Sequence, residues 1–196
     1  MASASAQLQH RLSVYSSYYF FNDVKHSHAY AYNAILPSSL EYAVTSGKWN
    51  YAFRFTYWSK DISQKGQASN PTQVYSRNLI MPSMGIQYHW RPNLRVGGGL
   101  IYRNGYNLLR GAGTVLFNTY RYEIRDVGGF IGLSWVKAIS TSGRWQIKSG
   151  VNLYYLFWDK QNGGPYRFEY LDYKTNTMVE LNIGLSFLLN RPSLNN

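Results

Sequence analysis

The stretch WNYAFRFTYW, from Trp49 to Trp58, decides how the fold is interpreted. Every second residue from Trp49 to Tyr57 is aromatic, whereas the positions between them include Arg54. Alternation with a period of two is typical of a β-strand that has one apolar and one polar face. An aromatic face of this length must be covered by a protein core or by lipid, because soluble monomers rarely expose large apolar patches.

The composition of the 196-residue chain favours β-structure, with 19 Tyr, 6 Trp, 9 Phe and 17 Gly. Cysteine is absent, so the sequence predicts neither disulfide bonds nor thiolate metal ligands. The mean hydropathy is -0.36, and no apolar run approaches the ~18 residues that a membrane helix needs. The formal charge of +11 raises nucleic acid as a partner. The basic residues do not cluster, however, and they lie opposite the aromatic faces, so we expect no nucleic-acid binding.

Alternation recurs along nearly the whole chain and predicts eight strands. These strands are 7–20, 30–45, 49–59, 79–90, 94–103, 120–138, 145–158 and 178–189. Short turn sequences at 46–48, 91–93 and 140–143 alternate with four longer connections. This order is typical of bacterial outer-membrane barrels. The sequence therefore predicts an all-β fold: an eight-stranded antiparallel up-and-down transmembrane β-barrel with three short periplasmic turns and four longer extracellular loops.

Side-chain size predicts which face of the strands points outward. Eight strands enclose an interior only just wide enough to be filled by side chains. The aromatic faces would overfill that interior, whereas the Gly, Ser and Asn of the other faces fit it. We therefore expect the aromatic faces to contact lipid. A soluble ligand-binding barrel of the lipocalin or avidin type is the fold-level alternative, and it would purify without detergent.

The inward faces predict a polar network in the lumen, in which basic residues outnumber Glu41 and Glu180. Charges removed from water need partners, so we expect each glutamate to bridge two or more basic side chains in a structural plug. The surplus of arginine leaves open a narrow, anion-preferring solute channel. The predicted network consists of Arg11, Glu41, Arg54, Gln87, Arg95, Arg103, Lys148, Asn152, Glu180 and Asn182.

Aromatic residues also concentrate near both ends of the predicted strands, with tryptophan near the tight turns and tyrosine near the longer loops. Such rings settle at the two interfaces of a membrane. The predicted aromatic girdles consist of Trp49, Trp90, Trp135, Trp145, Tyr57, Tyr102 and Tyr155.

One predicted strand, 120–138, breaks the alternation. Its apolar residues fall on even positions up to Ile124 and on odd positions from Val127 onward. A change of this kind predicts either a β-bulge near 126–129 or the end of the membrane-embedded portion there.

Residues 7–190 resemble the eight-stranded outer-membrane barrels, the class that holds the OmpA transmembrane domain, OmpX and OmpW. The glycine- and tyrosine-rich composition is similar to that of small barrel proteins of Bacteroidota. The last strand, MVELNIGLSFLLN, resembles the terminal β-signal that the barrel-assembly machinery reads. The resemblance implies a bacterial outer-membrane location and contact with outer-membrane lipid and lipopolysaccharide. Residues 1–6 are interpreted as a signal-peptide remnant or a cloning leader, and residues 191–196 as a short periplasmic tail.

The predicted function is a structural, adhesive or accessory-subunit role, with protein partners bound at the extracellular loops or the periplasmic face. The loops at 60–78 and 159–177 are the predicted contact surfaces. Barrels of this type also include lipid A-modifying enzymes, and His26, Ser27 and His28 lie close to Asp23 in the sequence. No second supporting group accompanies them. We therefore expect no catalytic activity, no cofactor and no metal site.

Overall fold

The computed structural model describes residues 8–23, 28–33, 39–64, 73–110, 119–162 and 177–190. These residues form nine strands: β1 (Gln9–Asp23), β2 (His28–Asn33), β3 (Ser39–Ser46), β4 (Trp49–Gln64), β5 (Gln73–Arg91), β6 (Leu94–Arg110), β7 (Thr119–Ala138), β8 (Trp145–Asn162) and β9 (Thr177–Leu188). Within the described ranges, no helix has the length and apolar character needed to cross a membrane.

The strands form one antiparallel sheet that closes on itself, because β1 pairs with β9 as well as with β2 and β3. β2 pairs with residues 18–23 of β1, and β3 pairs with residues 9–15. These two strands therefore occupy one position, where the sequence predicted a single strand at 30–45, and residues 34–38 lie outside the described part. The predicted eight-stranded antiparallel barrel is confirmed.

The strands are tilted relative to the barrel axis. Following the pairing register once around the barrel from Arg11 leads back to Phe21, ten residues further along β1. Closing a sheet into a barrel requires such a stagger, which also sets the barrel's width.

Three short connections lie at one end of the barrel, which we call the turn end. They join β3 to β4 at 47–48, β5 to β6 at 92–93, and β7 to β8 at 139–144. Gly47 and Gly143 have φ angles of 56° and 67°, in the left-handed region that glycine adopts without a steric penalty. Much of the predicted longer connections, including 65–72, 111–118 and 163–176, lies outside the described residues.

The strands reach farther toward the opposite, loop end than the sequence predicted. The prediction ended β4 at Ser59 and began β5 at Leu79, whereas the two strands remain paired as far as Gln64 and Gln73. Apolar alternation marks only the part of a strand whose outer face needs apolar residues. The backbone ladder continues beyond that part, where the side chains are more polar.

A β-bulge is present at the level of residues 126–129, but it is not in the strand for which it was predicted. Val127 of β7 pairs with Trp158, and Gly128 pairs with Leu156, so that Phe157 is the extra residue. The bulged strand is therefore β8, whereas the prediction placed the bulge in β7. In β7 the inward parity continues, with Asp126 buried.

Exposure of the side chains shows which face points outward. The aromatic residues of β4 at 49, 51, 53, 55 and 57 are 43–52% exposed, whereas Arg54 is 7% exposed. The other strands repeat this arrangement and form an apolar belt around the barrel. Its members include Leu12, Leu40, Ile86, Leu100, Ile131, Val151, Leu153 and Ile183. The alternative of a soluble barrel with these faces packed inward is therefore wrong.

Candidate functional site in the lumen

The centre of the lumen holds a hydrogen-bonded network around the fully buried Glu180 of β9. Arg54 of β4 makes a bidentate ion pair with it, in which Nη1 donates to Oε2 over 3.1 Å and Nη2 donates to Oε1. Four further donors come from β1 and β8: Ser17 Oγ at 2.6 Å, Tyr19 OH at 3.2 Å, Asn152 Nδ2 at 2.7 Å and Tyr154 OH at 2.6 Å. We call this set the central network. It links β9, β1, β4 and β8 through one carboxylate.

A second carboxylate, Glu41 of β3, lies nearby. Its Oε1 accepts hydrogen bonds from Lys148 Nζ at 2.7 Å and from Tyr15 OH at 2.8 Å. The Tyr15 ring contacts the cations of both sets, with its centroid 4.8 Å from Arg54 Cζ and 5.2 Å from Lys148 Nζ. Tyr15 therefore connects Glu41 to the central network.

The expectation that each glutamate bridges two or more basic residues is wrong for the described residues. Within the part of the chain that the structure describes, Glu180 has Arg54 as its one cationic partner at ion-pair distance, and Glu41 has Lys148. Tyrosine, serine and asparagine supply the remaining hydrogen bonds of these carboxylates. The sequence predicted Asn152 in this role but not the three tyrosines, because aromatic residues were assigned to lipid.

Arg103 does not join the central network but pairs with Asp126. Arg103 Nε donates to Asp126 Oδ2 over 2.7 Å, and Nη2 contacts the same oxygen. Asp126 was missed because it lies where the apolar pattern of β7 changes. Asp126 lies at an even position, as do the inward-facing Gly128, Gly132 and Ser134. This shared parity could have indicated that Asp126 faces the lumen.

Above the central network, toward the loop end, the lumen is filled by apolar side chains. Trp58 and Leu79 pair across β4 and β5, and both are almost completely buried. This apolar plug comprises Trp58, Leu79, Met81, Ile101, Leu156 and Met178, with Tyr19, Tyr154 and Phe130 packed against it. Its residues share the parity of the polar inward face, and they lie on the loop-end side of Arg54, Ser83 and Asn152 along their strands. The sequence pattern did not predict this plug.

At the turn end, a chain of hydrogen bonds crosses four strands. Arg11 Nη2 donates to Thr45 Oγ1 at 3.2 Å, Thr45 Oγ1 to Asn50 Oδ1 at 2.9 Å, and Asn50 Nδ2 to Gln87 Oε1 at 3.2 Å. Arg95 of β6 is buried at the same end. Of the remaining predicted lumen residues, Asn182 is buried, whereas Gln87 is half-buried.

The predicted girdle residues all point outward and are exposed. Four tryptophans lie near the turn end, and Trp49 packs edge-on against Tyr88 with ring centroids 5.1 Å apart. Tyr57, Tyr102 and Tyr155 lie farther toward the loop end. In β4, exposed aromatic residues also occupy positions 51, 53 and 55 between these two levels, and the arrangement of the girdle residues at two membrane interfaces stays a prediction.

The candidate catalytic segment is only partly described. Asp23 and His28 pair in register between β1 and β2, while His26 and Ser27 lie outside the described residues. Across the described ranges, no group of three or more His, Asp or Glu side chains has a metal-binding arrangement.

Solved structures share this closed barrel. A major outer membrane protein from Thermus thermophilus superimposes with a TM-score of 0.64 at 10% identity, covering 91% of this chain and 98% of that chain. The chain has the fold of the small bacterial outer-membrane β-barrels. Ail, the attachment invasion locus protein of Yersinia pestis, matches with a TM-score of 0.53 at 8% identity, covering 94% of this chain and 99% of that chain.

A second crystal structure of Ail, in complex with the heparin analogue sucrose octasulfate, matches with a TM-score of 0.50 at 8% identity, covering 92% of this chain and 97% of that chain. Neisserial surface protein A (NspA) matches with a TM-score of 0.50 at 10% identity, covering 91% of this chain and 96% of that chain. No protein-family model matches the sequence, and no curated protein matches it. At these identities the likeness shows the fold alone.

Proposed function

We propose that the protein is a non-enzymatic barrel of the bacterial outer membrane, with a structurally plugged lumen and with partner contacts at its loop end. The apolar belt and the shared fold support the location. The turn end would then face the periplasm, as short turns do in such barrels. The observation that carries the proposal is the occluded lumen.

Two successive layers obstruct a path along the barrel axis. The central network spans the lumen from Glu180 on β9 to Arg54 on β4, and the apolar plug fills the lumen above it. A cavity of about 30 Å³ lies beside Arg54, Glu41 and Lys148. That volume accommodates one or two water molecules, whereas a conducting pore needs a continuous water-filled route.

Opening the lumen would require separating buried charges. Breaking a buried ion pair by removing one partner costs about 3–5 kcal/mol, because the other charge remains in a poorly solvating interior. A movement that separates Arg54 from Glu180 without hydrating them has a comparable cost, because it also leaves buried charges unpaired. The closed arrangement therefore favours a plug over a gate.

Partner contacts are assigned to the loop end because the strands extend there beyond the apolar belt. Ser59 Oγ and Asn78 Oδ1, for example, are 2.5 Å apart on the exposed outer wall. The connection at 163–176, which lies outside the described residues, contains Tyr166, Arg167, Phe168 and Tyr170. Aromatic and arginine side chains are enriched at binding hot spots. Ail, a barrel of the same fold, has been crystallised with a heparin analogue.

The test of a plugged lumen is planar-bilayer conductance of the purified full chain. We expect no discrete channel steps, and steps with anion preference would contradict the plug and favour the second candidate, a narrow anion channel. The surplus of buried arginine favours that candidate.

The adhesive role is tested on cells that display the protein, by measuring attachment to heparin-coated surfaces. Replacing 163–176 with a Gly-Ser linker of equal length should reduce attachment, and unchanged attachment contradicts a role for this loop.

A further inference from the structure

The turn-end part of the lumen contains more positive charge than its carboxylates neutralise. Among the described residues, five basic side chains are buried in the lumen: Arg11, Arg54, Arg95, Arg103 and Lys148. Three of them pair with Glu180, Asp126 and Glu41. Among the described residues, no carboxylate lies within ion-pair distance of the other two, Arg11 and Arg95. Two buried guanidinium groups are therefore left without a counter-charge.

Arg11 and Arg95 approach the same region from opposite walls. β1 and β6 are four strand positions apart in either direction around the barrel. The two side chains are only 1% and 5% exposed. Arg95 pairs in register with His89, and the chain of hydrogen bonds that begins at Arg11 ends at Gln87, two residues before His89 on β5. The two arginines and His89 therefore share one region of the turn-end lumen.

Several hydrogen-bond donors of these residues have no acceptor. Arg11 Nη2 uses Thr45 Oγ1, but Arg11 Nε, Arg11 Nη1 and Arg95 Nη1 have no partner among the described residues. The hydroxyl of Ser134, which pairs in register with Arg95, is also without a partner there. Native proteins rarely leave buried polar atoms unsatisfied, and each such group has an explanation in a bound ion, a bound water or a functional role.

The neighbouring carboxylate cannot meet this demand. Glu41 lies two residues from the register partner of Arg11, but it already accepts hydrogen bonds from Lys148 and Tyr15. Arginine does not lose its proton in proteins, so the charge is not removed by deprotonation. Burying an ion without a partner destabilises the folded state. An anion placed between the two guanidinium groups would remove their repulsion and supply the missing acceptors.

We propose that Arg11, Arg95 and Ser134 form a binding site for one small inorganic anion in the turn-end lumen. The half-buried Gln87 and His89 mark the side from which the anion enters, because the central network and the apolar plug fill the lumen above the site. The site requires only the barrel and its buried arginines. It is independent of what the loops bind and of whether the lumen conducts.

Bromide provides the direct test, because its anomalous scattering distinguishes it from water. In crystals of the full chain grown with bromide, we expect an anomalous peak within hydrogen-bond distance of both Arg11 and Arg95. The peak should disappear in Arg95→Gln. Ordered water without bromide at this position, or an equal peak in Arg95→Gln, overturns the proposal.

A solution test uses the unfolding temperature of the purified protein in detergent. Replacing gluconate with chloride or bromide at constant ionic strength should raise the unfolding temperature of the wild type in a saturable way, because an anion that binds only the folded state stabilises it. Arg11→Gln and Arg95→Gln should lose this rise. Arg125→Gln, which removes the same charge from an exposed position on the outer wall, should retain it.

Folding of each variant is checked by its heat-modifiable migration on gels. If Arg95→Gln does not fold, Arg95→Lys is used instead. Its halide response should saturate at a higher halide concentration, because a lysine ammonium cannot donate two parallel hydrogen bonds as a guanidinium does. An equal halide response in the wild type and in a folded Arg95 variant contradicts the site. A conducting wild type with a saturable, Arg95-dependent halide response would contradict the plugged lumen but not the anion site.

Discussion

Glu180 shows at the level of one residue how this barrel tolerates charge in its interior. The carboxylate is fully buried, yet it accepts hydrogen bonds from Arg54 and from hydroxyl and amide donors on two further strands. Hydrogen bonds to ionised groups are shorter and stronger than those between neutral groups. The cost of removing Glu180 from water is thus offset by its partners, and each partner depends on Glu180 in turn.

We expect Glu180→Gln to destabilise the folded barrel by about 3–5 kcal/mol, because Arg54 would remain buried without a counter-charge. The measurement is urea unfolding of the barrel in detergent or lipid, followed by tryptophan fluorescence. Glu123→Gln is the matched control. The Glu123–Arg125 pair spans 3.3 Å between side chains that are 43% and 53% exposed, and its loss should cost at most about 1 kcal/mol. Equal losses in the two variants would contradict a central role for Glu180.

At the level of the strand, inward positions change character along their length. In β5 the inward residues run from Leu79 and Met81 at the loop side to Ser83 and Gly85. Apolar side chains therefore close one part of the lumen, and polar side chains occupy the remainder. Gly85 makes room for this packing, since a Cβ there would lie 2.9 Å from Phe130 Cζ.

Two methionines on β5 allow the contributions of the apolar plug and of the apolar belt to the stability of the barrel to be measured separately. Met81 is 2% exposed inside the lumen, whereas Met84 is 60% exposed on the outer wall. We expect Met81→Ala to cost about 2–5 kcal/mol, because it leaves a cavity in a packed interior. Met84→Ala should cost clearly less, since lipid or detergent chains fill the space. Urea unfolding of the two variants measures the difference, and a larger loss for Met84→Ala would reverse the assignment of the two faces.

The sequence was sufficient to predict the strand alternation and the direction of each face, because both depend on a period of two that tertiary contacts preserve. It was not sufficient to predict the plug. Trp58 and Met81 have the same chemistry as lipid-facing residues, and only their parity relative to Arg54 and Ser83 places them inside. The Arg103–Asp126 pair was missed because Asp126 lies where the apolar pattern of β7 changes, although the register between β6 and β7 places the two residues opposite each other.

At the level of the whole molecule, the barrel has an apolar exterior and keeps buried charges in its interior, which is the reverse of a soluble protein. This arrangement is stable only if the surrounding medium is itself apolar. The cost of placing a charge on the outer wall should therefore vary with its distance from the membrane centre. Two exposed isoleucines allow this dependence to be measured: Ile183 in the middle of β9 and Ile139 in the connection after β7.

We expect Ile183→Arg to destabilise the barrel in lipid vesicles by about 2–4 kcal/mol, because an arginine near the bilayer midplane is poorly solvated. Ile139→Arg should cost only about 0–1 kcal/mol, since the turn end lies near the interface, where water and headgroups solvate the charge. Both values come from urea unfolding in vesicles, with folding followed by heat-modifiable gel migration. If the two variants lose the same stability in lipid, the apolar belt does not span the hydrocarbon layer, and the assignment of the outer wall to a membrane fails.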